Sequence, residues 1–162
     1  MMKMWIAILA FGLLMLSMPF CSASITRDQL ALGGITTGAS EAYVQSIYGP
    51  PDERKELMGL FDLEYNYGGT FSICFDKDPT TGEYFVAQLE TNVHNGIATP
   101  AGVEVGMTRE TVRKVYGQPD INVYTKKPRD GLYNVDGQNG YGFWFFFDKA
   151  GKVKTILAGA HE

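Results

Sequence analysis

Histidine and cysteine are the scarcest chemistry-bearing residues of this 162-residue chain, with two of each. His94 and His161 stand far apart, and neither has a second histidine or a cysteine at metal-ligand spacing. His161 also falls in the chain's tail, where ends fray. Cys21 lies in the N-terminal apolar run, so Cys74 is the single cysteine of the remainder and no intrachain disulfide can staple it. Cys74 has no base beside it in sequence and sits in the middle of an alternating strand. That is the setting of a small half-buried thiol, not of a nucleophile.

A basic stripe is missing too. The formal charge is −4, or −5 without Lys3. Residues 24–95 hold Arg27, Arg54, Lys55 and Lys77 against eleven acidic side chains, a balance of 4 − 11 = −7. Residues 96–162 hold nine basic and seven acidic side chains, a balance of +2. Nothing here is built to neutralise phosphates, so no nucleic-acid partner is expected. Gly38-Ala-Ser40-Glu-Ala42 lacks the second glycine of a nucleophile elbow, and Ser40 is needed as a helix cap. Asp76, Asp78 and Thr80 mimic the start of a calcium loop. Glycine then falls one place late and Ala87 stands where a bidentate glutamate belongs, so a plain hairpin loop is the better reading. Asp62 and Glu64 on one strand face are ordinary surface carboxylates. The sequence predicts no catalytic residue, no metal and no cofactor.

What is present begins at the N-terminus. Lys3 precedes an apolar run from Trp5 to Phe20, which ends in Cys21-Ser22-Ala23 before Ser24. That order is the pattern of a cleaved secretory signal peptide over residues 1–23. A membrane span needs about 20 apolar residues, and Pro19 ends this run short of that. An uncleaved anchor is the competing reading. Lipid attachment at Cys21 is a third, disfavoured by the bulky Met18-Pro19-Phe20 before it. An exported chain with no stable membrane span after cleavage is expected, periplasmic or secreted.

The remainder contains an internal repeat. Gly38-Ala-Ser-Glu-Ala-Tyr-Val-Gln-Ser-Ile-Tyr-Gly-Pro-Pro-Asp52 aligns without gaps to Gly106-Met-Thr-Arg-Glu-Thr-Val-Arg-Lys-Val-Tyr-Gly-Gln-Pro-Asp120. Glu64-Tyr65-Asn66 matches Leu132-Tyr133-Asn134 at the same spacing, and Phe75-Asp76-Lys77 matches Phe147-Asp148-Lys149 after a slip of a few residues. Each shared segment reads as a helix. Ser40 and Thr108 are N-caps. Val44, Ile47 and Tyr48, like Val112, Val115 and Tyr116, recur at i, i+3, i+4. Gly49 and Gly117 close the helices, and Pro51 and Pro119 prevent their continuation.

A β meander follows each helix. In the first copy, strands are predicted from Phe61 to Tyr67, over Phe71 to Phe75 and over Tyr84 to Leu89. The second copy offers Tyr133 to Val135, Tyr141 to Phe147 and Lys152 to Leu157, with a tight turn at Ala150-Gly151. Thr26 and Gln29 form a capping box on a further short helix ending at Gly33, with a one-turn counterpart at Thr99-Pro100. The expected fold is therefore α+β: two tandem α-α-β-β-β modules, residues 24–95 and 96–162, with helices packed on one face of an antiparallel sheet.

Val105-Gly-Met-Thr-Arg-Glu-Thr-Val112, Tyr116-Gly117, Pro119 and Phe145-Phe-Phe-Asp-Lys-Ala-Gly-Lys-Val153 carry a family resemblance. The first copy matches more loosely at Gly38, Ser40, Val44, Tyr48-Gly49 and Pro51. The pattern resembles the SmpA/OmlA (BamE-like) envelope lipoproteins and the β-lactamase inhibitor protein. The first relative implies assistance in outer-membrane barrel assembly. The second implies a secreted pair of modules gripping a protein with a joined concave sheet. Its disulfides have no counterpart here, and no binding residue carries over one by one.

Strand alternation buries Phe143, Phe145 and Phe147, like Phe71, Ile73 and Phe75, and turns Trp144 and Phe146 to the other face. A Trp–Phe patch open to solvent there would mark an interaction site; the alternative is that a loop or the joined sheet covers it. The candidate binding residues are Trp144, Phe146 and Tyr141, beside an acidic half formed by Asp62, Glu64 and Asn66. The expected function is a non-catalytic envelope module binding a protein partner. The alternatives are a module for a small ligand or cell-wall component, and an envelope assembly factor.

Overall fold

The computed structural model describes residues 25–120 and 131–160. The signal-peptide assignment, with Cys21 and Ala23, and His161 lie outside the described residues.

Antiparallel sheet dominates. Nine strands form, β1 (Ala31–Leu32), β2 (Ile35–Thr36), β3 (Glu53–Glu56), β4 (Leu63–Tyr67), β5 (Phe71–Lys77), β6 (Tyr84–Thr91), β7 (Leu132–Val135), β8 (Gln138–Phe147) and β9 (Val153–Ala160), among the described residues. Seven of them make one sheet in the order β3-β4-β5-β6-β9-β8-β7, and β1 pairs with β2 separately. The two halves are thus joined through β6 and β9, with Leu89 opposite Ala158 and Thr91 opposite Ile156.

The expected tandem of α-α-β-β-β modules is overturned by this architecture. Only two α-helices are described, α1 (Glu41–Tyr48) and α2 (Arg109–Tyr116). Thr26 and Gln29 do make a capping contact, the Thr26 N–H donating to Gln29 Oε1 at 3.1 Å. What they start is only a 3-10 turn over Arg27–Gln29. The chain then reverses at Gly33 and Gly34, whose φ values of 61° and 81° suit glycine, and β1 folds back on β2. Thr99 begins a turn closed by the Gly102 N–H on its carbonyl at 2.8 Å. An eight-residue helix is about 12 Å long, whereas seven strands spaced about 4.8 Å apart span roughly 29 Å. Two such helices cannot form a layer over this sheet. Leu30, Leu32, Ile35, Val103 and Val105 share the cover with Val44, Val112 and Tyr116 in one core cluster.

The signals that start and end each helix are realised, whereas Ile47, expected on the apolar stripe with Val44 and Tyr48, is exposed. Ser40 Oγ accepts from the Tyr43 N–H and Thr108 Oγ1 from the Thr111 N–H, each at 3.2 Å. Gly49 and Gly117 end the helices at φ 74° and 81°. Matching backbone bonds recur in both halves. Gly38 N–H donates to Val86 O at 2.7 Å and Gly106 N–H to Val153 O at 2.8 Å. Tyr67 Oη donates to Gly49 O at 3.1 Å and Tyr133 Oη to Gly117 O at 3.2 Å. The bulge between Cys74 and Phe75 has its counterpart between Phe146 and Phe147.

These bonds correct the alignment. Tyr133 corresponds to Tyr67, not to Tyr65, because both hydroxyls reach the carbonyl of the helix-ending glycine. A two-residue slip keeps every side chain on its face, which is why the period-two pattern does not detect it.

The sheet's ends differ. β3 is wholly exposed and charged, Glu-Arg-Lys-Glu, a sequence that resists edge pairing. At the far end, Ile25 is buried, bridges Val135 in parallel and accepts from the Asp136 N–H at 3.0 Å. The start of the first half therefore reaches across to β7, the outermost strand of the second half.

Candidate functional site

The pleat sorts the sheet into two faces. One carries Tyr65, Phe71, Ile73, Phe75, Leu89, Phe143, Phe145, Ile156 and Ala158, all buried in the core cluster. The rings of Tyr48 and Phe71 lie 5.3 Å apart, and those of Tyr116 and Phe143 5.5 Å, so both helices sit on this side. Phe147 packs against the same cluster but is half-buried, with the Arg109 guanidinium 4.7 Å above its ring.

Trp144 and Phe146 project to the second face, as alternation requires. Their rings stack with centroids 4.3 Å apart and planes inclined by 30°. Trp144 lies directly across from Leu157, and Leu157 directly across from Glu90 on the neighbouring strand. Ser72 follows on β5 and Asn66 on β4. Leu132, on the other side of Trp144, is buried although it lies outside the core cluster. A parallel row runs Lys55, Glu64, Cys74, Gln88.

Tyr141 does not join this site. It shares the parity of Phe143, packs against the core and has the Arg27 guanidinium 5.1 Å from its ring centre. The alternation that selected Trp144 and Phe146 already excluded it. Glu64 lies within the second face, opposite Cys74. Asp62 and Asn66 are committed to backbone: Asp62 Oδ2 accepts from the Lys77 N–H at the end of β5, and Asn66 Oδ1 from the Gly69 N–H, each at 2.8 Å. Leu157 and Glu90 were missed in the sequence because strand register, which alone brings them together, is not written in either strand.

Pairing the halves by their matched bonds exposes a contrast. On the core face the counterparts agree in character: Phe71 and Phe143, Ile73 and Phe145, Val86 and Val153, Leu89 and Ile156. On the second face Gln88 and Thr155 are both polar, but three pairs differ. Ser72 corresponds to Trp144, Cys74 to Phe146, and Glu90 to Leu157. Next to the seam the first half is polar and acidic where the second is aromatic and aliphatic; farther out Phe85 stands opposite Asp76 in the first half and Thr155 opposite Phe146 in the second.

Electrostatics follow the same division. The Cys74 thiol is pushed up to about 12, by burial first and then by Glu64, Glu90 and Asp76. Burial and then Glu64 raise the Glu90 carboxyl, and burial and then Asp62 raise that of Asp76. Such a thiol stays protonated at neutral pH and is a poor nucleophile. Asp78 turns its loop by accepting from the Thr80 and Thr81 N–H groups at 2.7 and 3.0 Å. His94 pairs at the surface with Glu104, Nδ1 to Oε2 3.2 Å. Among the described residues, no group of three or more His, Cys, Asp or Glu side chains could hold a metal ion. Also among them, no helix is long and apolar enough to cross a membrane.

No family model matches the chain, and no curated protein or solved structure matches it either. The resemblance to BamE-like and β-lactamase inhibitor proteins therefore rests on the motif residues alone.

Proposed function

We propose that this chain is an exported, non-catalytic protein-binding module of the cell envelope that engages its partner through the second sheet face. The carrying observation is the one-sided contrast between halves: Trp144, Phe146 and Leu157 stand where the other half has Ser72, Cys74 and Glu90. Drift at solvent-facing strand positions favours polar residues, because an aromatic–aliphatic cluster there adds nothing to the core and promotes association. A surface that keeps such a cluster beside polar ground has the composition of a docking site, with an apolar centre and a polar rim.

The test is affinity capture from an envelope extract with immobilised residues 24–162. The double variant W144A/F146A should lose the captured partner while retaining its folded state. I47A, on the exposed outer side of α1 (54% exposed), should keep it. Capture unchanged by W144A/F146A sinks the proposal. Elution of a muropeptide or other small molecule, with no protein, would replace it with the ligand-binding alternative.

A further inference from the structure

The register of the seam says more about the partner than the aromatic stack does. From Trp144 through Leu157 to Glu90 is two strand spacings, about 10 Å. Glu64 lies near enough to Glu90 to raise its proton affinity. The second face of β3 to β6 carries Glu53, Glu64, Asp76 and Glu90, against Lys55 alone among its described residues. Cys74, Asp76 and Glu90 all hold their protons more tightly than usual, burial acting first and neighbouring carboxylates second. Lys55 stands across from Glu64, so this half of the face holds four carboxylates against one cation, an excess of negative charge. Carboxylates alone would select no ligand. Their direct cross-strand junction with an apolar strip does, because the strip fixes where a counter-charge must sit.

We propose that the docked segment is cationic: an arginine or lysine side chain whose stem lies across Leu157, whose charge meets Glu90 and Glu64, and whose apolar neighbour rests on Trp144 and Phe146. Long basic side chains suit such a junction, since the stem covers apolar surface while the head stays at the polar edge. Guanidinium groups also favour aromatic faces and carboxylate pairs at once. This rests on reading the second face as the docking surface, but it can fail separately from that reading.

The mature chain carries its own reporter, because Trp5 leaves with residues 1–23 and Trp144 is then the only tryptophan. The probes are three blocked heptapeptides identical except at three positions, occupied by arginine, glutamine or glutamate, with leucine and phenylalanine between them. Trp144 fluorescence should change saturably with the arginine peptide. Raising sodium chloride from about 20 to 300 mM should weaken that binding about tenfold, through screening. E64Q/E90Q should weaken it by a similar factor, because each removes a partner charge. The glutamate peptide should leave the signal unchanged. In the free protein, caesium should quench Trp144 more strongly than iodide, and E64Q/E90Q should erase that preference. Circular dichroism and a urea midpoint confirm that E64Q/E90Q is folded. Equal binding of the arginine and glutamine peptides, unchanged binding in E64Q/E90Q, or stronger quenching by iodide overturns the inference. So does an equal response to phosphatidylglycerol vesicles. Each of these leaves the W144A/F146A capture result standing. Loss of that capture effect, by contrast, removes the docking surface itself.

Discussion

Replacing Phe143, Trp144, Phe145 and Phe146 one at a time with alanine should give an alternating stability profile along β8. Phe143 and Phe145 are fully buried, each ring touching Tyr116 at 5.5 Å and its neighbour at 5.8 Å. Truncating a buried phenylalanine costs about 3–5 kcal/mol, from lost transfer energy plus the cavity left behind. Trp144 and Phe146 are half-buried, and their mutual stack is worth about 0.5–1.5 kcal/mol beyond the area they cover. Urea unfolding of residues 24–162 separates these outcomes. With a slope near 2 kcal/mol/M, the midpoint should fall by roughly 2 M for the odd positions and by less than about 1 M for the even ones. Total stability of such a domain is only about 5–15 kcal/mol, so F143A and F145A can leave little folded protein. F143L and F145L, which keep most of the volume, should then restore the pattern at about 1 kcal/mol each. A flat profile, or larger losses at 144 and 146, would place those side chains in a core and remove the interaction surface.

Gly159 should tolerate no side chain, because its φ is 135° and an added Cβ would meet the Ala87 carbonyl oxygen at 2.2 Å. G159A should cost about 3 kcal/mol or more. G34A, at φ 81° with open space around it, should cost only the left-handed penalty of about 1–2 kcal/mol, both read as urea midpoints. Cys74, pushed from about 9 to about 12, should react with a disulfide reagent at pH 8 at least about 100-fold more slowly in the native protein than in urea, since the thiolate attacks. Native labelling as fast as unfolded labelling refutes that environment. Glu90 has its folded pKa raised by burial and Glu64, so its contribution favours folding in acid and is lost as pH rises through the carboxylate range. E90Q should therefore raise the urea midpoint at pH 7 and change it little near pH 3; a lower midpoint at pH 7 contradicts the sign.

Helix ends were the most legible part of the sequence. Ser40, Thr108, Gly49 and Gly117 act within four residues of themselves, so local chemistry decides them. The strands were legible where one face is buried, as in Phe71-Ser-Ile-Cys-Phe75. β3 was not, since Glu-Arg-Lys-Glu has no apolar period and pairs only because β4 offers it an edge. The missing first helix is the same lesson reversed: Leu30, Leu32 and Ile35 are all buried, and two adjacent glycines favour reversal over continuation. On the second face, the pleat turns Trp144 and Phe146 outward as alternation predicts and turns Tyr141 to the core, while Leu157 and Glu90 were not legible, because their meeting is a product of register between distant strands.

That register also has a symmetry. Counting by matched bonds, Thr91 and Ala158 are counterparts, as are Leu89 and Ile156, and across the seam Leu89 faces Ala158 while Thr91 faces Ile156. Each position thus meets the counterpart of the other's neighbour, which is the isologous contact of a two-fold dimer. Glu90 faces its own counterpart, Leu157, on the axis. In a true dimer of identical chains, whatever residue stands on the axis must meet itself, and a glutamate there would repel its copy while a leucine would attract one. Covalent linkage removes that restriction. Because both copies travel on one chain, assembly no longer depends on concentration, and the central position can hold two unlike residues, giving a surface whose halves differ where a homodimer's must be the same.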